Sequence, residues 1–408
     1  MTVLLETSEA AAVADNHKVL VARAAEAARP RINSIDLLRG LIMLLVALDH
    51  TRDFFGPGGM DVRNVADPGL FLTRWITHFC APLFIFLAGT SAYLYGTRGR
   101  TVGEVSRFLL TRGLWLIVIE FTVVRLGWTF SFDLDFFVAQ VIWAIGATMV
   151  ALAALVYLPR WAIGAVALVM IGGHNLLDGI HAEDWGAAGG LWTLLHQRGL
   201  LHLGPDTKLY VLYPLIPWIG VMAAGYALGP VFKLDPTARR RWLLGLGTLM
   251  SVGFIVLRAI NLYGDPAPWV AQSDRLATLL SFLNCEKYPP SLLYLAMTLG
   301  PGLLLLAAFE HARGWLADAI TTYGRVPFFY YVLHIFVIHA LAVAFAWLTV
   351  GNAAWLFGDP PLDKPANYGL SLPGIYLAWL LVILTLYPAC RWFASVKQRR
   401  REWWWSYL

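Results

Sequence analysis

Residues Asp36 to Phe55 read DLLRGLIMLLVALDHTRDFF, and how this stretch is taken decides the fold. It is long enough to cross the apolar core of a bilayer, which needs about 20 residues. Yet it carries Arg39 near one end and Asp49 and His50 near the other. Ionisable groups within a membrane segment are costly, so they mark function or a buried partner rather than a plain anchor. On an α-helix eleven residues turn by about 1100° and rise about 16.5 Å, which places Arg39 and His50 on one face at different depths. Asp36 precedes Arg39 by three positions and Asp53 follows His50 by three, spacings at which helical side chains meet.

The rest of the chain supports a membrane setting. Of its 408 residues 58% are hydrophobic and 14% charged, and the mean hydropathy is +0.61, well outside the soluble globular range. Apolar runs near 34–55, 70–95, 106–127, 136–157, 160–178, 209–232, 240–262, 288–309, 326–350 and 371–394 give an all-α, polytopic protein with about ten transmembrane helices around a polar cavity. Twenty of the 31 Lys and Arg residues fall on one side of this arrangement and eight on the other, with Arg39, Arg125 and Arg258 inside runs. The positive-inside rule then puts both termini in the cytoplasm. Because the basic residues sort by topology, no stripe is left for nucleic acid.

Three parts are expected: a mobile cytoplasmic segment at 1–30 without a secretory signal, a membrane domain at 31–396, and a basic, aromatic interfacial tail at 397–408. A short helix at 312–324 should lie at the interface ahead of the ninth span. The cysteines, Cys80, Cys285 and Cys390, form no CxxC pair, so neither disulfides nor zinc are implied. No HExxH, GxGxxG or Walker-type loop is present, and no metal is expected.

The first span, with SIDLLRG leading to LDH, resembles the Arg-x10-His signature of transmembrane acyltransferases. RWITHFCAPLFIFLAGTSAYLY (74–95), FLNCEKYPPSLLYL (282–295) and YGRVPFFYYVLHIFVIH (323–339) resemble the bacterial branch related to heparan-α-glucosaminide N-acetyltransferase, and the likeness runs over about residues 31–395. It implies transfer of an acyl group, usually acetyl, from cytoplasmic acyl-CoA to a hydroxyl or amine of a carbohydrate-like acceptor on the outer side of a bacterial inner membrane. The heparan enzyme has an asparagine at the place of His50 and its histidine in the following outer loop, whereas the loop Gly56–Gly69 here has none.

An acceptor hydroxyl needs a base as it attacks a thioester. His50 suits that role, with Asp53 at i+3 as its expected orienting partner and Asp49 as the adjacent carboxylate. Arg39 and Arg325 are expected to hold acyl-CoA from the inner side. His78, Glu286, Lys287, Tyr288 and His334 are the expected acceptor-side residues. Each has a plainer rival: an Asp36–Arg39 interfacial pair, a hydrogen-bonded structural histidine at 50 or 78, a capped helix start at 284–288. Ala88, Gly89, Thr90 and Ser91 read as a packing surface. A homo-oligomer is compatible with the sequence. A secondary transporter or flippase of a sugar- or lipid-linked substrate is the rival function, but it would favour broken helices in two related halves, and no such repeat is visible. A membrane scaffold would leave the polar stripe unexplained.

Overall fold

The computed structural model describes residues 32–358 and 363–400. The segment 1–30 and most of the tail 397–408 lie outside the described residues. Helix α1, Asn33–Phe55, covers the quoted stretch and stops at Gly56. Next come α2, Pro68–Thr77, and α3, Cys80–Gly96, then α4, Val102–Ile119, which runs through a wider π turn at Glu120–Val124 into α5, Arg125–Thr129. Helices α6, Val141–Leu155, and α7, Arg160–Gly172, are shorter. The outer segment carries α8, Gly189–Leu195, before α9, Leu215–Ala227, and α10, Pro236–Ile260. The chain ends with α11, Arg275–Leu283, α12, Leu292–Phe309, α13, Trp315–Arg325, α14, Pro327–Val350, and α15, Leu372–Arg399.

Local chemistry sets these ends. Asp67, Asp235, Asp274 and Ser291 each accept a hydrogen bond from the first turn of the helix they open, and Thr101 with Glu104 forms a reciprocal cap on α4, satisfying otherwise orphaned amides. Pro327 opens α14, as its place in the sequence predicts.

Among the described residues six helical stretches are long and apolar enough to cross a membrane: Pro68–Gly96, Leu215–Lys233, Pro236–Ile260, Leu292–Phe309, Pro327–Val350 and Leu372–Arg399. Their outward faces present Leu249, Val252, Leu348 and Leu384 to the surroundings. Helices α6 and α7 are apolar but shorter, packed against α4 and α9 respectively.

The purely helical expectation needs one correction. Phe136–Ala139, Gly199–His202 and Lys208–Val211 are strands β1, β2 and β3, forming a sheet in the order β1-β3-β2 with β1 parallel and β2 antiparallel to β3. The expected spans 136–157 and 209–232 therefore begin as strand and become helix only at Val141 and Leu215. A continuous apolar run does not distinguish the two, and here the backbone amides find partners in a segment some seventy positions away.

Small residues hold the bundle at close range. A Cβ at Gly89 would fall 2.0 Å from the Met222 carbonyl oxygen, and one at Gly225 would fall 2.0 Å from that of Phe86, so α3 and α9 pack backbone to backbone as the Ala-Gly-Thr-Ser run predicts. Thr90 donates to the Gly225 carbonyl at 3.1 Å. Likewise Gly40 sits under the Ile320 carbonyl and Gly324 under that of Asp36, seating α13 on the first turns of α1. The stretch between α2 and α3 shows how a proline is accommodated. Pro82 has no amide to give the His78 carbonyl four positions back, and the Tyr294 hydroxyl of α12 donates to it instead at 2.8 Å.

Candidate active site

The stripe on α1 meets three neighbourhoods. At its N-terminal end Arg39 pairs with Asp36 at 3.6 Å and donates to Ser91 of α3. Asp36, in turn, abuts Gly324, so Arg325, half-buried one residue further on, shares this end of α1. Arg325 makes no hydrogen bond or ion pair among the described residues.

Toward the C-terminal end of α1, His50 and Asp49 point to different sides, as the roughly 100° between adjacent helical residues requires. His50 turns to α14. Its Nδ1 lies 2.8 Å from Nε2 of His334, with the two ring planes within 10° of each other and their centres 4.9 Å apart. His334 Nδ1 is 3.0 Å from the Tyr330 carbonyl oxygen. That oxygen can only accept, so His334 carries its proton on Nδ1 and offers a lone pair at Nε2. His50 must then donate from Nδ1, which leaves the lone pair of its Nε2 available. His50 retains 7% exposure while His334 has none, so His50 is the less enclosed of the two imidazoles.

Trp128 stands edge-on to His50 at 4.8 Å and lines a narrow crevice, with free space of about 10 Å³ or roughly one water, together with Glu120, Arg125, Thr129, Phe136, Val138 and Gln140. Glu120 opens the π turn, a distortion that often accompanies functional sites, and accepts from the Trp143 amide at 2.8 Å. Trp128 and Tyr331, 6.0 Å from His50, were not singled out by the sequence, because one more aromatic in so aromatic a chain carries no signal.

Asp53 does not serve as the partner of His50. It accepts from Arg52 at 2.9 Å and is 43% exposed. Asp49 forms the tighter pair with Arg52, at 2.7 Å, and accepts from Thr77 at 2.9 Å. A sequence spacing of three allowed the Asp53 contact but did not exclude a competitor, and the adjacent guanidinium wins both carboxylates. Lys364 donates to the carbonyls of Asp53 and Gly56 at 2.6 and 2.7 Å, closing the end of α1; burial pushes its ammonium down to about 8 despite Asp53.

Around Asp49 the buried side chains of Arg74, His78 and Lys287 gather, within electrostatic reach of one another. Burial alone would lower the Lys287 ammonium, but Tyr288 and Asp49 outweigh it and hold it above its ordinary value. Lys287 also lies 5.0 Å from the centre of the Tyr288 ring. Neither ring nitrogen of His78 has a hydrogen-bond partner among the described residues, a deficit of about 1–3 kcal/mol for each unsatisfied group that a polar ligand or water would relieve. Glu286 is engaged elsewhere, accepting from Arg63 at 3.3 Å and from the amides of Lys287 and Tyr288, so it shapes the entrance of α12.

Other polar groups inside the apolar runs have structural duties. Arg258 donates to the carbonyls of Phe282, Ala267, Ser281 and Asn284, and His339 bridges the carbonyls of Gly127 and Leu356. A family model described as heparan-alpha-glucosaminide N-acetyltransferase, catalytic, matches residues 31–256. Comparison with curated proteins gives no match.

Proposed function

The chain belongs to the heparan-alpha-glucosaminide N-acetyltransferase catalytic family, and on that premise we propose that it moves an acyl group, acetyl in the first instance, from cytoplasmic acyl-CoA to a hydroxyl or amine of a carbohydrate-like acceptor on the outer side of the inner membrane. The observation that carries the reading is the buried imidazole pair His50–His334 at 2.8 Å, set on α1 between an arginine-bearing inner end and a cationic outer cluster.

In this reading ten helical passes cross the bilayer: the six long apolar stretches together with α1, the continuous α4–α5 unit, α6 and α7. Both described chain ends then face the cytoplasm. Arg39 and Arg325 receive the phosphates and pantetheine arm of the donor at the inner end of α1, through charge-assisted hydrogen bonds. The acceptor enters from the side of Lys287, Tyr288 and Glu286, and satisfies His78. His50 takes the acceptor proton at Nε2 as the new bond to the acyl carbon forms and CoA leaves as thiolate. His334 receives the Nδ1–H bond of His50 and stabilises the imidazolium that results, doing through a neutral ring what a carboxylate does in other catalytic pairs. The crevice beside Trp128 and Glu120 admits about one water next to the reacting centre, so acceptor entry requires these side chains to move, and α1 is the path between donor and acceptor ends.

The test is transfer of isotope-labelled acetyl from acetyl-CoA by detergent-purified protein, with mass spectrometry of cell-envelope glycans to find the acceptor. His50→Ala is expected to keep its melting temperature within a few degrees and to lose at least about 100-fold in rate, the usual scale of a general base. Full activity in a folded His50→Ala protein would overturn the assignment.

A further inference from the structure

We propose that His174, Asp178 and His196 form a binding site for a divalent transition-metal ion of the zinc class, and that the ion fastens the outer segment 173–214 to the start of α12. The proposal does not depend on the acyltransferase reading. Among the described residues these three side chains bring one ligand atom each to within 4.8 Å of one another. His196 Nε2 is 3.4 Å from His174 Nδ1 and 3.8 Å from Asp178 Oδ1. Ligands at about 2.0–2.1 Å in a tetrahedron are separated by about 3.3–3.4 Å, so the first edge already has the length that zinc imposes and the second needs a small closure.

The surroundings are those of a supported site. Asp178 has its other oxygen held by Asn175 Nδ2 at 2.8 Å, and Asn175 Oδ1 accepts from the Leu292 amide at the start of α12 at 2.9 Å. Such outer hydrogen bonds orient ligands and tune affinity. His196 ends α8 with its ring stacked on Trp192 at 5.1 Å, and Trp192 is fixed by donating to the Ile180 carbonyl. His174 presents Nδ1 to the cluster and is itself buried. Two imidazoles and one carboxylate leave a fourth position for water, a donor set suited to zinc.

Without metal, His196 Nε2–H donates to the His174 carbonyl, 2.9 Å away. Binding replaces that proton by the ion: the lone pair of Nε2 goes to the metal, the proton goes to water, and nothing is oxidised or reduced. The experiment uses the full chain in detergent, stripped with chelator and titrated with Zn²⁺ while metal content and melting temperature are followed. One Zn²⁺ per chain with a raised melting temperature is expected, with Asn175→Ala weakening affinity by about 10–100-fold and the Asp178→Asn, His196→Gln double variant losing stoichiometric binding. Absence of retained zinc in the unaltered protein, or undiminished binding in the double variant, would overturn the site. Should the double variant fail to fold, Co²⁺ substitution of the unaltered chain decides: visible d–d bands of a four-coordinate nitrogen and oxygen site support it, and a spectrum of hydrated Co²⁺ refutes it.

Discussion

The imidazole pair makes separable demands on its two members. If His334 only fills space, His334→Gln and His334→Ala should behave alike; if it receives the Nδ1–H of His50, glutamine, whose amide oxygen can accept, should retain more activity than alanine. The expected result is a fall in turnover of about 10²–10⁴ for His334→Ala, mostly in kcat, with partial recovery in His334→Gln. Asp49 and Asp53 separate in the same way. Asp49→Asn breaks a buried ion pair with Arg52 and should cost about 3–5 kcal/mol, whereas Asp53→Asn touches a half-exposed pair worth about 0–1 kcal/mol; chemical denaturation of the two variants measures the gap. At this scale the sequence announced which residues matter better than whom they meet. Arg39, His50 and His78 stood out because charge and imidazole are conspicuous in apolar runs. The His50–His334 contact joins residues 284 positions apart, and no local spacing encodes it, while the local spacing that was visible, His50 to Asp53, lost to Arg52. The candidate metal ligands were overlooked for a related reason: His174 and Asp178 belong to an irregular turn whose third partner comes from the end of another helix.

Elements were more legible than partners, because length and apolarity are properties of the chain itself. The edges of α1, α14 and α15, and the outer edges of α2 and α3 taken together, fall within a few residues of the apolar runs, although the run 70–95 is broken in two between Thr77 and Cys80. The misreadings lie where an apolar run changes its hydrogen-bonding partner midway, at Phe136–Ala139 and Lys208–Val211. Helix packing offers a sharp comparison between glycines. Gly89→Ala drives a methyl into the Met222 carbonyl at 2.0 Å, forcing α3 and α9 apart at a cost of about 1–3 kcal/mol or more. Gly253, on α10, has nothing within 4 Å of an added Cβ, so Gly253→Ala should stabilise its helix by about 0.4–1 kcal/mol by restricting the unfolded chain. Thermal denaturation in one detergent should therefore move the melting temperature in opposite directions for two identical substitutions. Equal shifts would mean that the α3–α9 approach is looser than the backbone distances imply.

For the whole molecule, the open physical question is how many helices traverse the bilayer, and the alternatives predict different locations for one loop. Hydropathy and length select six stretches, and they pass over α1 because its charges dilute its apolarity, and over α6 and α7 because they are short. In the six-pass alternative the chain from Arg98 to Pro214 stays on one side. In the ten-pass reading it crosses three times, and the tip after α5 lies outside the cell. Phe132 sits on that tip and is 84% exposed, so Phe132→Cys can be labelled without disturbing packing. The native thiols Cys80, Cys285 and Cys390 are all buried and should stay silent toward a membrane-impermeant maleimide. Ala66→Cys, exposed before α2, and Arg98→Cys, exposed after α3, mark opposite faces of the membrane under either count, because Pro68–Gly96 crosses in both. Ten passes require Phe132→Cys to react in intact spheroplasts together with Ala66→Cys, while Arg98→Cys reacts only after permeabilisation. If Phe132→Cys follows Arg98→Cys instead, α4 and α5 do not cross, and Trp128 and Glu120 lie on the face that carries Arg98, which removes the acceptor-side placement that the proposed reaction requires.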